Sequence, residues 1–251
     1  MRRRVLIVSI LLVLSVLVVQ RLTAPNSPPR VSIDSRYLCA ALAAYIPAEE
    51  LTCADCTYAA VDKSHRLPAS YVPPVMPVLL TGGGSLVPEA AIALTDLFAE
   101  ARQRKLAPRI TSAYRSYEDQ ARTFAAWFRQ ELSRTHNLDR AFDNASRYSA
   151  LPGFSEHQLG TAVDLNCDGC APFDREDSRN IALWKFLEDE GYRFGFAISY
   201  PRNVEALTGY QYEPWHIRYV GKEYAAALFA QNYLDGNGVC LSAFLRAQAH
   251  P

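Results

Sequence analysis

An aspartate lies inside the apolar run TAVDL at residues 161–165, and it restricts the fold more than any other residue does. Its neighbours Ala162, Val163 and Leu165 favour a buried strand, in which an unpaired charge is very costly. On such a strand Asp164 and Ala162 point to one side, while Val163 and Leu165 point to the other. The tertiary structure is therefore expected to bring a positive group against Asp164.

The overall composition is that of a globular protein and excludes one class of partner. The chain has 251 residues, of which 49% are hydrophobic, so it can form one sizeable core. It carries 26 Lys and Arg residues and 26 Asp and Glu residues. Because these charges balance, no electrostatic case for nucleic acid exists, and we expect no nucleic-acid partner.

The N-terminal 23 residues have the pattern of an export signal. Three arginines at positions 2–4 precede an apolar run over 5–19, which is interrupted only by serine. Fifteen helical residues span roughly 22 Å, less than the roughly 30 Å of a bilayer core, as is typical of a secretory signal. Since Ala24 makes a poor cleavage site, an uncleaved signal-anchor in the membrane over residues 5–22 is equally favoured. Residues 24–30, APNSPPR, predict a proline-rich linker.

The cysteine pattern agrees with export to the cell envelope. In an oxidising compartment an even number of cysteines favours structural disulfides. Two CxxC pairs would also suit a four-thiolate zinc site, which is less favoured, and a thioredoxin-like redox role is weaker still. The sequence alone does not fix the pairing. The six residues are Cys39, Cys53, Cys56, Cys167, Cys170 and Cys240.

Hydrophobic periodicity predicts an α+β fold with a mainly antiparallel central sheet flanked by helices. The helices and strands do not alternate regularly, which argues against a parallel sheet. Ser116 with Asp119 resembles a capping box at the start of one helix. Residues 31–75 predict a cysteine-containing N-terminal extension packed on a main domain over 76–251. Helices are predicted over 88–105, from 116 onwards, over 180–190 with Ile181, Trp184 and Leu187 inward, and over 222–234; strands are predicted over 109–114, 161–165, 192–200 and 215–220.

Two of the five histidines are candidate partners for Asp164. His157 precedes it by seven residues, and His216 follows Glu213 by three. Two imidazoles and one carboxylate leave one coordination position open for water, as in a catalytic zinc site with one ion per chain. Pro214 indicates an irregular start to the following strand, which could bring Glu213 and His216 to one cleft. Glu213 would then be the base that takes a proton from the bound water.

Three segments resemble, in order and spacing, the signature segments of the VanY-type D-alanyl-D-alanine carboxypeptidases. They are SAYRSYEDQ (112–120), SEHQLGTAVDL (155–165) and EPWHIRYVG (213–221). Members of this family are zinc peptidases of the cell wall with the hedgehog/DD-peptidase fold. The resemblance spans roughly residues 75–235.

The resemblance implies a role for each matching residue. Zinc would be held by His157, Asp164 and His216, and Glu213 would act as general base and acid. Arg115 would polarise the scissile carbonyl and hold the oxyanion, as a guanidinium can with two parallel hydrogen bonds. Ser112, Gln120, Ser155 and Tyr219 lie in the same segments and are candidate substrate-binding residues.

The implied function is removal of the C-terminal D-alanine from peptidoglycan stem peptides by a protein exported to the bacterial cell envelope. An L,D-carboxypeptidase, a D,D-dipeptidase or a wall endopeptidase would use the same site. A non-catalytic zinc-containing peptidoglycan-recognition module is less favoured because both Glu213 and Arg115 are present. An iron(II) oxygenase is disfavoured because the close His-x-Asp spacing is absent. The insert NCDGC (166–170) leaves substrate preference open, and the oligomeric state is also open.

Overall fold

The computed structural model describes residues 43, 46–52 and 56–249. The predicted signal segment and linker lie outside these residues, as do Cys39 and Cys53. Among the helices in the described part of the chain, none combines the length and the apolar character that a bilayer crossing requires.

The secondary structure combines short strands with longer helices. The strands are β1 (Glu49–Glu50), β2 (His65–Arg66), β3 (Met76–Pro77), β4 (Ser85–Leu86), β5 (Pro108–Ser112), β6 (Ala162–Cys167), β7 (Phe196–Ile198) and β8 (His216–Tyr219). The helices are α1 (Pro88–Gln103), α2 (Tyr117–Thr135), α3 (Leu138–Ala145), α4 (Ser178–Glu190), α5 (Glu205–Thr208), α6 (Lys222–Phe229) and α7 (Leu241–Ala249). Three 3-10 helices span Glu156–Leu159, Gly191–Phe194 and Tyr233–Asp235.

The central sheet has four strands in the order β5-β6-β8-β7, and every neighbouring pair is antiparallel. Two further sheets each consist of two short strands. Strands β1 and β2 are parallel, and strands β3 and β4 are antiparallel. The predicted α+β class with a mainly antiparallel sheet is confirmed. Strand β6 has a neighbour on each side, so the run that contains Asp164 is central to the fold.

The two faces of β6 divide as its alternation predicts. Val163 and Leu165 join the main apolar core, together with Leu94 and Phe98 of α1 and Trp184 of α4. Asp164 points to the opposite face and is also buried. One face of the sheet therefore stabilises the fold by burying apolar surface, and the other carries buried polar groups.

Helix α2 begins at the predicted cap. The Ser116 hydroxyl accepts a hydrogen bond from the backbone N–H of Asp119, which satisfies one of the donors left free at a helix N-terminus. The apolar face of α2, including Phe124 and Phe128, packs on Ala141 and Ala145 of α3 in a second core. This helical pair adjoins the polar face of the sheet.

The predicted strand over 192–200 is wrong in its first half. Residues 191–194 form a 3-10 helix, and Gly195 has a φ of 88° before β7 begins. A Cβ at Gly195 would lie 2.8 Å from the Tyr219 ring, so the close approach of two segments requires glycine here. The predicted helix over 222–234 also ends early, at Phe229.

The inward orientation predicted for Ile181 is wrong, since this residue is 49% exposed. Asn180 takes the inward position on α4 instead. Its side-chain oxygen accepts from the backbone N–H of Cys167, and its amide donates to the carbonyls of Ala171 and Asp174. A polar residue is buried there because it satisfies the backbone of the loop that follows β6.

The cysteines of the described residues differ in state. Cys167 and Cys170 are joined to each other, with their Cα atoms 5.3 Å apart. Cys56 is disulfide-bonded, and Cys240 is a buried free thiol.

We expect the apolar core, which lies on the face of the sheet opposite Asp164, to determine the stability of the fold. Phe98 is fully buried on α1, whereas Ile92 on the same helix is 65% exposed. Phe98→Ala should lower the free energy of unfolding by about 3–5 kcal/mol, because it leaves a cavity. The matched variant Ile92→Ala should change it by less than about 0.5 kcal/mol. Urea denaturation of both variants tests the arrangement, and equal losses would contradict it.

Candidate active site

Three buried side chains from separate segments converge on one point. The imidazole Nε2 of His157 lies 3.2 Å from Oδ2 of Asp164, and Nδ1 of His216 lies 2.9 Å from Oδ1 of the same carboxylate. The two imidazole centroids are 4.9 Å apart. One ligand atom from each residue lies within 4.8 Å of the others, so the three residues can hold a single metal ion.

The register of the sheet accounts for two members of this cluster. Asp164 of β6 is paired directly with His216 of β8 and, on its other side, with Ser112 of β5. Side chains paired in this way lie on the same face of the sheet and within contact distance. The buried carboxylate and one imidazole are therefore brought together by strand pairing alone.

A short 3-10 helix supplies the third member. The Ser155 hydroxyl accepts from the backbone N–H of His157 at the start of this helix, and Gly160 ends it with a φ of 72°. A Cβ at Gly160 would lie 2.7 Å from a methyl carbon of Val75. Glycine thus lets the chain turn tightly from His157 into β6.

In each imidazole, the nitrogen that faces away from Asp164 makes a hydrogen bond, and this bond fixes the orientation of the ring. Nδ1 of His157 donates to the carbonyl oxygen of Ala113 at 2.7 Å, since a carbonyl can only accept. Nε2 of His216 donates to Oε2 of Glu156 at 2.9 Å. The other nitrogen of each ring, Nε2 of His157 and Nδ1 of His216, consequently faces Asp164. With both rings neutral, these two nitrogens and the carboxylate form a donor set that fits one divalent cation.

The electrostatic surroundings support a neutral imidazole at His157, one of the predicted metal ligands. Burial and the nearby Arg115 charge lower the pKa of His157 to about 4. Burial opposes ionisation of Asp164, yet the two imidazoles lower its pKa below the usual value. Burial, with a smaller contribution from the charge of Asp164, raises the pKa of Glu213 to about 8. Carboxylates of different proton affinity therefore lie side by side, as acid–base chemistry requires.

A cavity of about 660 Å³ opens in front of the cluster, and both predicted catalytic residues line it. Glu213 lies in the bend before β8, where its backbone N–H donates to Tyr200 and its carbonyl accepts from His216. Arg115 donates from Nη1 to the Ser112 hydroxyl at 2.9 Å. Its Nε is buried and has no hydrogen-bond partner among the described residues.

The four candidate substrate-binding residues separate into two pairs. Ser112 and Ser155 line the cavity. Gln120 is fully buried on α2, where its amide donates to the carbonyl of Ala150. Tyr219 points to the apolar side of β8 and packs against the ring of Phe196. The structure does not bring Gln120 or Tyr219 to the cavity.

Sequence reasoning did not place two buried charges, Glu156 and Arg218, beside the cluster. Glu156 precedes His157 directly, and its carboxylate contacts both His216 and Arg218. The signal for Arg218 was available, because it shares the face of β8 with His216 by alternation. Glu156 has no such signal, since a single acidic residue in a polar turn is ordinarily exposed.

The comparisons with known proteins concern the family of the chain. The model of the VanY family, D-alanyl-D-alanine carboxypeptidase, matches residues 84–222. A D-alanyl-D-alanine carboxypeptidase of Enterococcus faecalis is 33% identical over 75% of this chain and 65% of its own length. This chain therefore spans slightly less than two thirds of that relative.

Two solved structures share both fold and sequence with the chain. VanYB in complex with D-alanine-D-alanine has a TM-score of 0.66 at 32% identity, covering 76% of this chain and 98% of that one. A mutant of the vancomycin-resistance D,D-pentapeptidase VanY in complex with Zn(II) has a TM-score of 0.65 at 31% identity, covering 76% and 99%.

The antiparallel sheet and the buried His-Asp-His cluster define the hedgehog/DD-peptidase class of fold. Within that class, the chain belongs to the VanY family. Zinc, the predicted cofactor, is confirmed as the metal of this family.

Loss of one ligand should abolish metal binding without unfolding the sheet. Asp164→Asn removes the charge that faces both imidazoles, and we expect zinc affinity to fall by more than about 100-fold, beyond the effect typical of outer partners. Asp168→Asn, at an exposed position directly after the same strand, is the matched control and should keep normal zinc content. Metal analysis after dialysis measures both. Full zinc occupancy in Asp164→Asn would contradict the cluster as the metal site.

Proposed function

We propose that the chain is a zinc-dependent D-alanyl-D-alanine carboxypeptidase that removes the C-terminal D-alanine from peptidoglycan stem peptides. One observation carries this proposal: a buried carboxylate, Glu213, and a guanidinium, Arg115, face the same cavity as the three-residue cluster. A recognition module without catalysis would need neither group. The relatives named above, one bound to D-alanine-D-alanine, support the substrate class.

His157, Asp164 and His216 are proposed to hold the zinc. When bound in a three-ligand site, zinc supplies Lewis acidity, which acidifies a coordinated water and polarises a carbonyl oxygen. Both ligand imidazoles keep their ring orientation because their outer N–H groups are already hydrogen-bonded.

Glu213 is proposed to move the proton. Its carboxylate takes the proton from the attacking water and delivers it to the leaving amine of the terminal D-alanine. Because burial raises its pKa to about 8, the group has the proton affinity needed both to accept and to return a proton near neutral pH. The backbone contacts to Tyr200 and His216 fix the bend that carries it.

Arg115 is proposed to bind the oxygen of the scissile carbonyl. Its Nη1 is oriented by Ser112, and its Nε has no partner among the described residues, so a substrate oxygen would satisfy that buried donor. Negative charge that develops on the carbonyl oxygen is stabilised by a guanidinium already in position.

The shape of the cavity supports a substrate longer than a dipeptide. Its volume of about 660 Å³ is within the usual range for binding sites. The wall continues from the cluster to Trp127 and Tyr148, whose rings contact each other with centroids 5.2 Å apart. We propose that this outer wall receives the preceding residues of the stem peptide.

The chain is further proposed to work outside the cytoplasm, in the bacterial cell envelope. Its peptidoglycan substrate lies there, and the apolar segment over 5–19 supports export, with membrane anchoring if that segment is retained. The bond between Cys167 and Cys170 suits an oxidising compartment, where it would hold the loop after β6 closed.

Substitution of the proposed base tests the function. Glu213→Gln should retain zinc but hydrolyse a peptide ending in D-Ala-D-Ala about 10²–10⁴-fold more slowly, because a neutral amide cannot carry the proton. Glu205→Gln, an exposed glutamate on α5, is the control and should keep full activity.

The product mass identifies the bond that is cleaved. Mass spectrometry should show loss of a single D-alanine, with the reaction abolished by a chelator. Unchanged turnover in Glu213→Gln would refute the role of this residue. Release of an intact D-Ala-D-Ala dipeptide would instead mean cleavage of the preceding peptide bond, and hydrolysis of free D-Ala-D-Ala in preference to the longer peptide would mean a D,D-dipeptidase.

A further inference from the structure

We infer that the buried pair Arg218–Glu156, tied to the backbone of residues 57 and 59 in the N-terminal extension, positions the metal ligand His216. Neither residue is a proposed metal ligand and both act through His216, so they are positioning residues. The inference rests on the proposed zinc site. It means that the N-terminal extension helps to hold the zinc ligand His216 in position.

The first contact in this connection joins the ligand to Glu156. Nε2 of His216 donates to Oε2 of Glu156 at 2.9 Å, and the Ser199 hydroxyl donates to the same oxygen at 2.5 Å. All three side chains are buried. With its outer nitrogen held, the His216 ring can present only Nδ1 to the metal, and the negative charge behind it makes that nitrogen a stronger donor.

The second contact compensates the charge of Glu156. Nη1 of Arg218 donates to Oε1 of Glu156 at 3.0 Å, and the arginine is completely buried, with 0% exposure. Removing either charge would leave the other one buried and unpaired, which is strongly unfavourable.

The third contact reaches the N-terminal extension. Nη2 of Arg218 donates to the carbonyl oxygens of Thr57 at 3.1 Å and of Ala59 at 2.7 Å. These carbonyls lie in a turn closed by a hydrogen bond from Ala59 to Cys56, and Cys56 is itself disulfide-bonded. The N-terminal extension therefore supplies both hydrogen-bond acceptors for this nitrogen of the Arg218 guanidinium.

Arginine is the residue type that this position requires. Its planar fork lets one terminal nitrogen bind the carboxylate while the other binds two carbonyls. Lysine would keep the charge beside Glu156, but its single nitrogen could not reach both sets of acceptors in the same geometry. The substitution Arg218→Lys therefore separates the contact with the extension from the compensation of charge.

Zinc affinity is the decisive measurement, because a merely structural role would not change it. Glu156→Gln should weaken zinc binding about 10–100-fold, as loss of an outer partner does. Arg218→Lys should weaken it by a smaller factor, with the extension untied but the charge retained. Both are measured in the full chain by competition with a chromophoric chelator.

Two controls separate positioning from general destabilisation. Glu131→Gln alters another buried carboxylate, which accepts from Asn144 and Tyr148 and makes no hydrogen bond with the cluster. It should lower stability to urea but leave zinc affinity within about twofold of the unchanged chain. Ser199→Ala removes one donor to Glu156 without touching a charge, so it provides a milder variant if Glu156→Gln does not fold.

The visible absorption of the Co(II)-substituted protein gives a second readout. Its ligand-field bands should shift in Glu156→Gln and Ser199→Ala, because the His216 ring changes orientation, but not in Glu131→Gln. Zinc affinity and Co(II) bands that match the unchanged chain in folded Glu156→Gln or Ser199→Ala would overturn the inference. Wild-type affinity in Arg218→Lys would overturn the part that concerns the extension.

Failure of this inference differs from failure of the proposed function. If the unchanged chain releases no D-alanine, the proposed function is wrong, whatever the zinc affinities of the variants are. If the unchanged chain is active and Glu156→Gln binds zinc normally, only the positioning role is wrong.

Discussion

The pairing of Asp164 with His216 across two antiparallel strands is the contact on which the site depends. It places a buried carboxylate directly against an imidazole in the middle of the sheet. A shift of one residue in the register would turn Asp164 into the apolar core and bring Val163 or Leu165 to the polar face. The apolar core therefore enforces the geometry of the site, because Val163 and Leu165 pack only in the observed register.

A series of hydrogen-bonded and ion-paired side chains stabilises the polar face of the sheet although it is buried. From Asp164 the order is carboxylate, imidazole, carboxylate and guanidinium, ending at backbone carbonyls of residues 57 and 59. Each group in this order contacts the next through a hydrogen bond or an ion pair. Such a network is costly if one member is missing and specific when it is complete. This explains how a sheet can bury both of its faces.

Local patterns predicted the elements well where one residue determines the conformation. The Ser116 cap and the two sides of β6 follow from side-chain chemistry and alternation. The predictions failed where a distant contact decides. Residues 191–194 do not extend β7, because Gly195 lies against Tyr219 from another strand. Asn180 displaces Ile181 from the inward face because a loop backbone needs its amide.

The sequence by itself determined the α+β class and the buried position of Asp164. It also determined the identity of the three residues that meet at the cluster, because residue type and spacing restrict which side chains can share a metal. Only the tertiary structure decided that Glu156 and Arg218 stand behind His216, and that Gln120 and Tyr219 lie away from the cavity. The reason is physical: burial and charge compensation depend on which segments pack together, and residues 57 and 218 are brought into contact only by the complete fold.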